Sequence, residues 1–236
     1  MTGRSFVSPA TRSRVRGLAL PVALALGRLG LTPNALTILG FLGTCAAAVA
    51  AAAQQWTLAG LLVLAFGIFD LLDGALARAT GQASKFGAFL DSTLDRTGEN
   101  LVLAGVAIGC VGASFVLGIE LAVLAMAFAS VVTYARAKAE VIGLHGEVGV
   151  APRSERLVLL AAGMIVAGLL GGVQTFVYFS TCDPLCQTAD QIALTAHYPG
   201  AVALGVALGL ITILSAVTVL QRILHVKRQL EQQENQ

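Results

Sequence analysis

The sequence predicts an all-α membrane protein: six transmembrane helices, preceded by an N-terminal amphipathic helix that lies in the membrane interface. Three observations predict it. Of 236 residues, 56% are apolar and 12% charged, with a mean hydropathy of +0.81, a balance that the surface of a water-soluble domain does not tolerate. The apolar residues gather into runs of roughly 20, the length that crosses a hydrocarbon layer, and in lipid such runs must be helical because each backbone polar group has to find its partner within the segment. Basic residues, finally, are missing from alternate connections, the positive-inside pattern of a multi-pass chain.

The elements follow in order. Residues 1–30 hold Arg4, Arg12, Arg14, Arg16 and Arg28 around the apolar stretch from Leu18 to Leu26, which is too short to span. A cleaved leader would need a small-residue cleavage site after the stretch, and Arg28 closes it instead, so an interfacial amphipathic helix is the expectation. Six apolar runs come next, near residues 35–53, 57–80, 85–111, 117–139, 155–178 and 197–224. They define one membrane domain, residues 31–226, followed by a polar cytoplasmic tail over residues 227–236, of which Glu231 to Gln236 are expected to fray. The separators Gln54-Gln55-Trp56, Val111 to Ser114 and Ser180 to His197 lack Lys and Arg. Both termini, the turn near Thr80 to Ser84 and the connection from Tyr134 to Arg156 are therefore expected on the cytoplasmic side of the cell membrane. Trp56 and Tyr198 read as interfacial anchors on the outward side. No alternation of the kind that marks strands is visible.

Composition also excludes partners. A net charge of +2 without basic–aromatic interleaving argues against nucleic acid. Cys45 and Cys110 lie in apolar runs as small hydrophobes. Cys182 and Cys186 share an outward loop, where a disulfide and two free thiols are both open.

The chemistry is concentrated in Asp70-Leu71-Leu72-Asp73-Gly74-Ala75-Leu76-Ala77-Arg78 and its continuation to Gly87, Asp91 and Asp95. An ionised residue within a span costs about 2.5–3.5 kcal/mol on insertion scales, so four aspartates there need a compensating partner. Asp70, Asp73, Gly74, Ala77 and Arg78 stand three and four apart and share one helical face, as do Gly87, Asp91 and Asp95. Two carboxylate faces meet across a short turn. Oxygen-only ligands select hard cations, so Mg²⁺ or Mn²⁺ held among Asp70, Asp73, Asp91 and Asp95 is the expectation. Gly74 and Gly87 then leave room for a ligand or a neighbouring helix. Pairing with Arg78, Lys85 and Arg96 alone would leave three bases to neutralise four acids. A proton or cation pathway, as in an ion-coupled transporter, also uses intramembrane aspartates; Arg78 and the paired glycines suit it poorly, and the two related halves with interrupted helices that such folds show are absent from the sequence.

These eight positions resemble the signature D-x-x-D-G-x-x-A-R-x8-G-x-x-x-D-x-x-x-D of the CDP-alcohol phosphotransferases, which Asp70, Asp73, Gly74, Ala77, Arg78, Gly87, Asp91 and Asp95 match in type and spacing. The resemblance implies a six-helix membrane fold, usually a homodimer, that moves a phosphatidyl-type group from a CDP-linked lipid such as CDP-diacylglycerol to an alcohol and releases CMP. It further implies that the four aspartates are metal ligands, that Asp95 is the general base, and that Gly74, Arg78, Ser84 and Gly87 lie along the CDP moiety. The stretch Leu31-Thr32-Pro33-Asn34-Ala35-Leu36-Thr37 resembles the family's entry to its first span, with Asn34 and Thr37 toward the cytidine; read from the residues alone, it is an ordinary helix start.

The connection that carries Arg136, Lys138, Arg153 and Arg156 could hold an acceptor bearing its own phosphate or could simply set topology. Its wording, Tyr134-Ala135-Arg136-Ala137-Lys138-Ala139-Glu140, then Gly143 to Gly146, then Arg153 to Leu157, resembles the branch of the family whose acceptor is inositol phosphate. That resemblance implies that these four bases bind the acceptor phosphate, with glycerol phosphate as the alternative acceptor. His145, His197 and His225 carry no such signal.

Overall fold

The computed structural model describes residues 20–144, 146, 148–150, 152–179, 193–197 and 199–234. It is predominantly helical. A helix over residues 20–28 (α1) precedes α2 (Pro33–Ala52), α3 (Trp56–Gly67), α4 (Phe69–Thr80), α5 (Lys85–Gly112), α6 (Val116–Val141) and α7 (Arg153–Leu169). Two antiparallel strands, β1 (Thr175–Phe179) and β2 (Ala193–His197), separate α7 from the long α8 (Pro199–Glu234). Among the described residues, four helical stretches are long and apolar enough to cross a membrane: Pro33–Ala52, Trp56–Thr80, Val116–Val141 and Pro199–Gln233. Between them, α5 carries Lys85, Asp91, Asp95 and Arg96 in its first half and Glu99 just past its middle, and α7 is 17 residues long.

Small residues let the helices approach. Ala47, Ala48, Ala50 and Ala51 of α2 are buried, and on α5 Gly105 and Gly109 take the backbone of Ala48 and Ala51 against their Cα atoms. In lipid this close packing, rather than exclusion of water, holds helices together. The extensive neighbours of α5 are α2 and α6, whereas α7 packs on α3 and α8. A second small core unites Ala23 of α1 with Leu36 of α2 and Leu72, Ala75 and Leu76 of α4, fastening α1 beside the aspartate helix.

Four expectations change. The run over 57–80 is interrupted at Ile68, so that Asp70 opens a new helix, α4. The run over 155–178 stops at Leu169, because Gly171 and Gly172 turn the chain with φ of +93° each; the β-branched and aromatic sequence Thr175-Phe176-Val177-Tyr178-Phe179 then favours a pleated strand. The tail does not fray at Glu231: α8 runs on to Glu234, with Lys227 and Glu231 one turn apart and 3.6 Å from each other. Trp56 is not an interfacial anchor either. It is 3% exposed, under Gly109 and Gly172, because a flat ring fills the space that two glycines leave. His145, Cys182, Cys186 and Tyr198, with residues 1–19 of the expected interfacial helix, lie outside the described residues.

Candidate active site

The turn between α4 and α5 builds the site. Gly81 ends α4 in the left-handed region at φ +67°, which a side chain would resist, and Ser84 caps α5 by accepting the Gly87 N–H at 3.0 Å. The two helices thus leave the turn with their acidic faces toward each other. Carboxylate oxygens of Asp70, Asp91 and Asp95 all lie within 4.8 Å of one another. Asp91 Oδ1 is buried with no hydrogen-bond partner, which a native structure rarely leaves unexplained. Three carboxylates in this space, one with an orphaned oxygen, fit a hard divalent cation.

Asp73 stands beside this group rather than within it. It is 6% exposed, and its Oδ2 accepts the Thr37 hydroxyl at 2.6 Å. That bond joins α2 to α4 and directs Thr37 to the carboxylate rather than outward to a ligand. Asp73 is thus anchored by a hydroxyl of α2, while Asp70, Asp91 and Asp95 converge beside it, with Asp95 accepting from Arg153.

Two clefts meet at these acids. One is lined by Asn34, Thr37, Asp73, Gly74, Arg78, Ser84, Gly87 and Asp91, together with alanines of α4 and α5. All six positions assigned to the CDP-lipid line it. A methyl group on Gly87 would stand 3.0 Å from Asn34 Oδ1, and one on Gly74 3.2 Å from Arg78 Nη1, so both glycines keep the polar wall in place. The other cleft shares Thr37, Asp73 and Asp91 and adds Asp70, Asp95, Glu99, Arg153 and Leu157 with the rings of Phe41, Phe66 and Phe69.

The four bases assigned to the acceptor are not brought together. Arg153 reaches the acids, with Nη1 2.5 Å from Asp95 Oδ2 and 3.6 Å from Asp70 Oδ2. Arg156 is 3% exposed and bonds Glu99 bidentately, Nε to Oε1 at 2.8 Å and Nη2 to Oε2 at 2.9 Å, so its guanidinium is engaged below the cleft. Arg136 makes a half-exposed pair with Glu140 at 2.8 Å, and Lys138 is exposed on the last turn of α6. The helix period explains the division: positions 136 and 138 differ by about 200° on one helix.

Two residues were not singled out from the sequence. Glu99 lies inside an apolar run, where an acid demands a partner, one turn after Asp95; that demand was the available signal. Arg222 of α8 donates from Nε to the Val148 carbonyl at 2.9 Å and from Nη1 to that of Val132, pinning α8 to the end of α6 and the following loop.

Residues 30–182 match the family described as CDP-alcohol phosphatidyltransferase. The chain is 33% identical to an archaetidylinositol phosphate synthase of Pyrococcus horikoshii over 93% of its own length and 96% of the relative's. It is 35% identical to a phosphatidylinositol phosphate synthase of Cutibacterium acnes, over 89% and 93% of the two chains. The crystal structure of the Mycobacterium tuberculosis phosphatidylinositol phosphate synthase with CDP-DAG bound superposes with a TM-score of 0.71 at 29% identity, covering 88% of this chain and 92% of that one. The same enzyme in complex with manganese and citrate gives 0.70. With a family match over residues 30–182 and relatives above 30% identity along most of its length, the chain belongs to the CDP-alcohol phosphatidyltransferase family.

Proposed function

We propose that the chain transfers the phosphatidyl group of CDP-diacylglycerol to inositol phosphate and releases CMP. The observation that carries the reading is the position of Asp91 and Asp73, which line both clefts at once: a donor in one cleft and an acceptor in the other meet at the carboxylates. The CDP moiety lies along Asn34, Gly74, Arg78, Ser84 and Gly87, where Arg78 adds fixed positive charge beside the diphosphate. Asp70, Asp91 and Asp95, with Asp73 beside them, hold Mg²⁺ or Mn²⁺, two ions per subunit; when bound, these ions neutralise charge that develops on the diphosphate oxygens.

Asp95 takes the proton from the acceptor hydroxyl. The acceptor oxygen forms a bond to the phosphatidyl phosphorus as the bond from that phosphorus to the bridging oxygen breaks, and CMP departs with the electron pair. A carboxylate flanked by cations is a weak base, so Asp95 contributes through placement beside the attacking oxygen. Arg153 occupies the wall of the acceptor cleft and is the base best placed to meet a phosphate on the acceptor.

The names of the two relatives, one an archaetidylinositol and one a phosphatidylinositol phosphate synthase, support inositol phosphate over glycerol phosphate. In the proposed arrangement, six spans (α2, α3 with α4, α5, α6, α7 and α8) cross the cell membrane with the site and both termini on the cytoplasmic side. The N-terminal segment through α1 lies in the interface, and the chain works as a homodimer. The test offers purified protein a CDP-lipid with inositol phosphate, glycerol phosphate, inositol and serine side by side. CMP release fastest with inositol phosphate is expected. Preference for neutral inositol overturns the acceptor, and preference for glycerol phosphate selects the alternative branch. Absence of CMP release with every acceptor would return the ion-coupled transporter.

A further inference from the structure

We infer that Glu99 is a positioning residue, which through its bidentate bond to Arg156 sets the spacing and register of α7 on α5 so that Arg153 meets Asp95 and Asp70. On α5, Asp95 and Glu99 are one turn apart; on α7, Arg153 and Arg156 are nearly so. The two helices are joined here by two parallel rungs, Arg153–Asp95 at 2.5 Å and Arg156–Glu99 at 2.8 and 2.9 Å. The rungs differ in burial. Side chains of the first are 20% and 19% exposed, those of the second 3% and 4%.

Backbone packing does not set this spacing. α5 rests on α2 and α6, and α7 on α3 and α8, so the second cleft opens between α5 and α7 with Glu99 and Arg153 in its wall. A guanidinium–carboxylate pair with two hydrogen bonds has one preferred length and plane, which makes the lower rung a spacer of defined size. A buried ion pair contributes little net stability, because desolvation offsets its attraction, and its best-attested use is to fix register. The upper rung, wetter and shared between two acids, is the one that substrate and metal must rearrange. The lower rung holds the frame while it does so.

The inference rests on the family's transfer reaction and not on the identity of the acceptor, so whichever acceptor the parent chain prefers is used throughout. CMP release is measured for Glu99→Gln, Glu99→Asp, Arg153→Gln and the double variant Glu99→Gln/Arg153→Gln. Glu99→Gln is expected to lower kcat by about 10–100-fold, the range for partners that orient a functional group, with KM for the CDP-lipid within about twofold. Glu99→Asp keeps the charge but shortens the spacer, and is expected to lose kcat nearly as far. In the Arg153→Gln background the same Glu99→Gln change is expected to alter kcat by less than about threefold, since residues acting as a unit are not additive. Where Glu99→Gln does not fold, the volume-matched pair Glu99→Leu/Arg156→Met replaces it, with size-exclusion profile and thermal unfolding to establish folding; reduced kcat in that folded pair supports the inference and parental kcat overturns it. The inference is likewise overturned by Glu99→Asp or Glu99→Gln at the parental kcat, or by an equal loss with and without Arg153.

Discussion

Arg153 Nη1 lies 2.5 Å from Asp95 Oδ2 and 3.6 Å from Asp70 Oδ2, so one guanidinium on α7 bridges acids from two different helices. Its Nε is buried without a hydrogen-bond partner. A side chain so placed serves both the acid cluster and an anion entering the cleft. Replacement by Lys retains charge but not the planar fork. Arg153→Ala is expected to lower kcat/KM for the phosphorylated acceptor by about 10–100-fold, or 1.4–2.8 kcal/mol, the size of a charge-assisted hydrogen bond, with a lowered kcat as well, because the guanidinium also holds Asp95. Arg153→Lys is expected to recover part of the loss. Initial rates with varied inositol phosphate, compared for each variant, check this.

At Gly74, an added methyl would stand 3.2 Å from Nη1 and 3.5 Å from Nη2 of Arg78. The guanidinium is the far end of a flexible chain and can yield, so the fold survives but the cation leaves its place beside the donor cleft. Gly74→Ala is accordingly expected to raise KM for the CDP-lipid by about tenfold, or 1.4 kcal/mol, at unchanged thermal stability. Saturation curves for CMP release and an unfolding scan give both quantities.

The hydrogen bond from Thr37 to Asp73, at 2.6 Å, fixes the carboxylate that the two clefts share. Thr37→Val preserves shape and removes the donor. Hydrogen bonds to charged groups contribute about 1.5–3 kcal/mol, and the expected loss in kcat/KM is about 10–100-fold, with Thr37→Ser close to the parent. Equal activity of Thr37→Val and the parent would show that Asp73 does not need this anchor.

The seam between α2 and α5 yields a stability prediction. A Cβ on Gly105 would lie 2.9 Å from the Ala48 carbonyl carbon and 3.0 Å from its Cα, and backbone cannot retreat as a side chain can. Gly105→Val is expected to destabilise by about 1–3 kcal/mol or more, read as a lowered unfolding temperature in detergent. The exposed Val123→Ala on α6 serves as control and is expected to leave it nearly unchanged.

Much of this was legible in the sequence because the membrane restricts the alternatives. Pro33–Ala52, Lys85–Gly112 and Val116–Val141 differ from the apolar runs by no more than two residues at either end, since lipid forces helix wherever apolar residues continue. The acids of α4 and α5 were legible for the opposite reason: charge in such a setting needs a purpose. The strand at Thr175–Phe179 was missed because an apolar, aromatic run reads as span or strand alike, and only Gly171-Gly172 before it marks the change. Arg156 was read as a phosphate ligand because the sequence shows a cation but not its orientation. Burial against Glu99, 57 positions away, follows from tertiary packing that no local pattern encodes.

The central claim is that acids from α4 and α5 hold a divalent ion where the two clefts join. Mn²⁺ titration of the purified chain, followed by electron paramagnetic resonance, tests it most directly, with parent, Asp91→Asn and Asp95→Asn measured alongside CMP release before and after chelation. Saturable binding in the parent is expected, with loss of binding and of about 10²–10³-fold or more in turnover in each variant, and activity that disappears on chelation and returns with Mg²⁺ or Mn²⁺. Binding that persists undiminished in both variants, or CMP release that continues in the presence of excess chelator, would contradict it.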